Sequence, residues 1–91
     1  MRARAILERL IEFDTVSHKS NLGLMAYVAD LLRGAGIDST LIPDATGEKA
    51  NLFAVVGPAD VPGVVLSGHV DVVPVEGQTW TRPPFELTQE G

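Results

Sequence analysis

Up to Ala35 the apolar residues of this chain keep a helical period, and beyond it they fall into short runs cut by glycine and proline. That change of period predicts an α/β chain: two helices first, then about three strands. From Ala3 to Phe13, Ile6, Leu7, Leu10 and Ile11 share one face while Arg4, Glu8, Arg9 and Glu12 take the other, so the first helix is amphipathic. Asp14 to Lys19 is polar, and Ser20 is placed to cap a second helix. Leu24, Met25, Val28, Leu31, Leu32 and Ala35 form its apolar stripe, and Gly34 with Gly36 supplies the stop.

The β-rich half begins with Ile37 to Ile42, ended by Pro43. A turn-rich loop from Asp44 to Lys49 leads to a second strand, Asn51 to Val56. After a connection framed by Gly57-Pro58 and Pro62-Gly63, residues 63–67 form a continuous apolar run. Such a run suits a central strand covered by helices on both faces. The links between neighbouring strands are too short for parallel crossovers, so sequence neighbours must pair antiparallel within a mixed sheet. Beyond Pro74 the chain reads as irregular, with Trp80, Pro83, Pro84 and Phe85 packing a long loop and Phe85 to Thr88 offering a short strand.

Ninety-one residues suffice for one modest domain or part of a larger one. The net charge of -5 argues against nucleic acid and anionic membrane as partners, because both need a basic face. With no cysteine there is no disulfide framework and no thiolate site, so any transition metal must be held by histidine and carboxylates. The N-terminal segment is interrupted by Glu8 and Arg9, unlike a signal peptide, and no apolar run reaches membrane-spanning length. These readings make the cytoplasm the expected compartment.

The chemistry concentrates in S-G-H-V-D, Ser67 to Asp71, at the carboxyl end of the apolar run, where α/β folds place their ligand crevice. His69 and Asp71 project to the same side of an extended backbone, so the carboxylate can take the ring N–H that faces away from a bound ion. A His-x-Asp tripeptide arises by chance roughly 0.13 times in a chain with two histidines and six aspartates, so it is weak evidence alone. His69 as a structural residue, with Asp71 capping a turn, stays open on the pattern. One histidine and one aspartate also fall short of the three protein ligands that zinc requires. His18 reads as a plain loop residue, and Asp14, Thr15 and Ser17 read as a turn before the second helix rather than a nucleophile cluster. Val65 occupies the glycine position of a G-x-S-x-G elbow, which removes Ser67 as a nucleophile. Neither glycine-bearing loop next to a strand matches a phosphate-binding fingerprint.

The run L-S-G-H-V-D-V-V-P-V-E-G-Q-T-W-T-R-P-P-F-E-L resembles the first metal motif of the acetylornithine deacetylase and succinyl-diaminopimelate desuccinylase family of di-zinc aminoacylases and exopeptidases. L-I-E-F-D-T-V-S-H-K-S-N-L, followed by a helix and A-G-I, resembles the same family's N-terminus. Pro83-Pro84-Phe85 departs from the usual Asp-Pro-Phe and bears on the local loop conformation. The resemblance implies that residues 1–91 are the N-terminal portion of the catalytic domain of a three-layer α/β/α fold, with the lid or dimerisation domain and the remaining ligands beyond Gly91. It implies two zinc ions, replaceable by cobalt, with His69 as a ligand of one and Asp71 as the catalytic carboxylate that orients it. The implied reaction is hydrolysis of a small N-acyl amino acid, N-acetyl-L-ornithine to L-ornithine and acetate in arginine biosynthesis, by a homodimeric enzyme. A desuccinylase, a dipeptidase-like relative and a non-catalytic α/β module are the alternatives.

Overall fold

The computed structural model describes residues 2–90, with the element order α1 (Arg2–Glu12), α2 (Leu22–Gly34), β1 (Ser39–Pro43) and β2 (Ala50–Ala54). Helix α1 is amphipathic as its spacing predicts, yet none of its residues is buried. Its link to α2 is a stack: the Arg9 guanidinium lies 4.3 Å from the centre of the Phe13 ring and 5.5 Å from that of Tyr27 on α2. Phe13 and Tyr27 are themselves 5.8 Å apart. Helix α2 carries most of the core, with Leu24, Met25 and Ala29 buried beside Thr15, Val16 and Ala50.

The two ends of α2 are built differently. Ser20 does not cap the helix; its hydroxyl accepts from the Leu22 N–H one step earlier, and Asn21 stands at the N-cap position. The Asn21 side chain is spent elsewhere, clamping the start of β2 by donating to the Ala50 carbonyl (3.0 Å) and accepting from the Ala50 N–H (2.9 Å). At the other end Gly36, at φ 79°, closes a Schellman motif: the Gly36 N–H donates to the Arg33 carbonyl and the Ile37 N–H to the Leu32 carbonyl.

Strands β1 and β2 pair antiparallel, as the short link demands, with Leu41 opposite Leu52 and Pro43 opposite Ala50. The Asp44 carboxylate organises the turn between them, accepting from the Thr46 hydroxyl (2.7 Å) and from the Thr46 and Gly47 N–H groups (3.1 and 2.9 Å). Gly47, at φ 74°, supplies the left-handed position the turn needs.

The expected third strand is corrected here. Among the described residues the sheet has two strands, and residues 63–67 pair with neither. Val64, Val65 and Leu66 are 89, 85 and 93% exposed. A strand apolar on both faces needs neighbouring strands for its backbone and helices for its side chains, and the described residues supply neither to this run. Residues 85–88 likewise form no strand: the Glu86 N–H turns back to the Pro83 carbonyl. The sheet is therefore antiparallel rather than mixed. Among the described residues, parallel pairing survives only as one isolated bridge, Val16 to Val72.

Candidate metal-ligand site

That bridge builds the site. The Val72 N–H donates to the Thr15 carbonyl (3.1 Å) and the Ser17 N–H to the Val72 carbonyl (2.9 Å), the alternation of a parallel pair. Thr15, the buried polar residue of the core, donates its hydroxyl to the Val70 carbonyl at 2.6 Å. Two rungs at Val72 and a side-chain bond at Val70 thus hold the backbone on either side of Asp71 against the segment that joins α1 to α2.

On this support Asp71 uses both oxygens. Oδ2 accepts from the Ser17 hydroxyl at 2.8 Å, and Oδ1 lies 2.8 Å from His69 Nδ1. The Ser17 hydroxyl, and after it the His69 ring, hold the Asp71 carboxyl below the usual carboxylate range. An ionised carboxylate accepts only, and so does the Asp71 carbonyl 3.2 Å from the same nitrogen. Nδ1 therefore carries the proton of the neutral ring, and Nε2 keeps its lone pair. His69 and Asp71 side chains are 84 and 58% exposed, against the burial that a central strand would impose. The i, i+2 spacing brings the pair together; the structure adds Ser17 and Thr15, which sequence reasoning had assigned to a turn. The signal was present in T-V-S, which alternates polar and apolar as H-V-D does.

The turn reading holds for Asp14, whose carboxylate accepts from the Val16 N–H (3.2 Å) and pairs with Lys19. That hydrogen bond from Lys19 lowers the Asp14 pKa and raises the Lys19 pKa. His18 is exposed and takes no part in the cluster. The loop that follows the site closes on itself, with Trp80 Nε1 donating to the Val75 carbonyl (3.1 Å) and Gln78 Nε2 to the Pro74 carbonyl (2.7 Å). Between this loop and the helices lies a cavity of about 410 Å³, bounded by Leu10, Phe13, Leu24, Val72 and Trp80, with His69 also in its wall. Such a lining suits hydrocarbon better than the charged ends of an amino acid.

The donor chemistry fits one zinc ligand. A neutral imidazole whose N–H is taken by a carboxylate presents the other nitrogen to a metal in the required tautomer. Among the described residues no group of three or more histidine, aspartate or glutamate side chains is close enough together to hold an ion. In these residues His69 presents one ring nitrogen without a proton, its other nitrogen bonded to Asp71.

Helix pair, hairpin and oriented histidine belong to a chain that resembles the N-terminal part of the acetylornithine deacetylase and succinyl-diaminopimelate desuccinylase family. It is 38% identical over 81 residues to a succinyl-diaminopimelate desuccinylase of Hydrogenovibrio crunogenus, a match covering 88% of this chain and 20% of the relative. It is 36% identical over 72 residues to an acetylornithine deacetylase of Shigella sonnei, covering 78% of this chain and 18% of the relative. The chain spans about a fifth of the length of these curated relatives. An uninterrupted 88% of 91 residues includes positions 12–80 wherever it begins, so the first match contains the Thr15–Ser17 and His69–Asp71 segments. No family model matches the chain, and no solved structure does.

Proposed function

We propose that residues 1–91 are the N-terminal portion of the catalytic domain of a cytoplasmic, zinc-dependent amidohydrolase that converts N-acetyl-L-ornithine and water to L-ornithine and acetate. The observation that carries this reading is the His69–Asp71 pair, with Nδ1 bonded to a carboxylate and Nε2 left as a donor, inside a span shared with hydrolases of that type. Zinc, when bound, acidifies water and polarises a carbonyl oxygen. This chain's share of the work is to present Nε2 of His69 in the right tautomer and to keep Asp71 ionised behind it. The other ligands and the general base are assigned to sequence outside these residues, and cobalt is a workable substitute for zinc. The desuccinylase reading is the second one, favoured by the 38% match, and differs in both the acyl group removed and the amine released.

Hydrolysis by the complete gene product tests both. Acetate release from N-acetyl-L-ornithine, abolished by a chelator, restored by zinc and reduced at least about 100-fold by His69→Ala, is the expected outcome. Succinate release from N-succinyl-diaminopimelate in its place would select the second reading. Activity that ignores both the chelator and the substitution would sink the metal assignment. The 91-residue chain by itself is expected to turn over neither substrate, since it offers one donor where zinc needs at least three protein ligands.

A further inference from the structure

The family reading concerns His69 and Asp71; the structure joins a third residue to them from the other end of the chain. Ser17 is 54 positions from Asp71, yet its hydroxyl donates to Asp71 Oδ2 at 2.8 Å while its N–H donates to the Val72 carbonyl at 2.9 Å. One residue therefore grips the aspartate segment by backbone and side chain at once. The carboxylate is exposed on a loop, where rotation about its side-chain bonds would ordinarily let it leave the imidazole. The hydroxyl also lies 3.2 Å from the Val72 carbonyl, but its shorter contact is with Oδ2, which opposes that rotation and leaves Oδ1 facing Nδ1. Thr15 completes the support by fixing the Val70 carbonyl, so the backbone from which the carboxylate projects is held too.

We propose that Ser17 is a positioning residue: its hydroxyl holds Asp71 so that His69 is locked with its proton on Nδ1 and its lone pair on Nε2, before any metal arrives. The purpose of that lock rests on the reading of His69 as a metal ligand; the lock itself is a property of the metal-free chain.

Nitrogen-15 NMR of the histidine side chains in the metal-free 91-residue chain reads the tautomer directly. The spectra are recorded at about pH 8. His18, whose ring makes no hydrogen bond among the described residues, serves as the internal reference and is assigned with His18→Ala. In the unsubstituted chain His69 is expected to favour the Nδ1–H tautomer by about tenfold more than His18 does, the shift that one charge-assisted hydrogen bond sustains. Ser17→Val, which matches Ser17→Thr in size but carries a methyl group where that variant keeps the hydroxyl, moves His69 most of the way to the His18 ratio. Ser17→Thr keeps the original ratio.

A His69 ratio equal to that of His18 in the unsubstituted chain overturns the proposal, as does an unchanged ratio in Ser17→Val. Loss of far-UV helicity in Ser17→Val also overturns it, because Ser17 would then be a general structural residue. Zinc-dependent hydrolysis by the complete gene product is measured separately, so a failed lock and a failed metal assignment give different patterns.

Discussion

Asp44 and Asp71 are both exposed carboxylates held below their ordinary pKa by hydroxyl donors, but they serve different ends. Asp71 faces a histidine, whereas Asp44 closes a turn, with the Thr46 hydroxyl as the leading cause of its lowered pKa. A folded-state pKa below the unfolded value of about 3.8 means that the contribution is complete above that pH and is lost as pH falls through the folded value. Acid titration should therefore loosen the Thr46 amide below about pH 3.8, seen as a lower protection factor against hydrogen exchange, while Asp44→Asn removes this pH dependence. Residue-scale chemistry was legible where partners are close in sequence: His69 with Asp71, and Asp44 with its turn. The role of Ser17 was not, because a hydroxyl in a polar segment has a local explanation ready, and its true partner lies 54 residues away.

Elements were legible to the extent that their causes are local. The period of α1 and α2, the Gly36 stop and the antiparallel hairpin all follow from neighbours within a few positions. The N-terminus of α2 shows the limit. Ser20 had the right chemistry for a cap, but Asn21 occupies the position and turns its amide to β2, a choice that depends on where Ala50 comes to lie. Asn21→Ala deletes both bonds to Ala50, which is buried, and should destabilise the contact between α2 and β2 by roughly 1–3 kcal/mol. Thermal or urea unfolding measures it; a change under about 0.3 kcal/mol would mean that water replaces the clamp. Residues 63–67 failed for the opposite reason, since an apolar run becomes a strand only when other strands and helices meet it.

The whole molecule carries that unmet demand on its surface. Its accessible area is 7149 Å², against about 5,100 Å² for a compact monomer of this mass. Its radius of gyration of 15.4 Å exceeds the roughly 12 Å expected of a compact 91-residue domain. No described helix is long and apolar enough to cross a membrane. Val64, Val65 and Leu66 mark an exposed apolar face. By itself the chain should self-associate: sedimentation at rising concentration should show mass above the monomer, reduced by Val65→Lys, and a constant monomer mass would contradict this. The bridge between Val16 and Val72 has a last consequence, in time rather than in space. Closing a loop of about 55 residues costs roughly 3.5 kcal/mol of chain entropy, with only a few bonds to repay it locally, so this contact forms late. During synthesis the His69–Asp71 pair, local in sequence, is expected to gain its support from Thr15 and Ser17 last, when the chain returns to its own beginning.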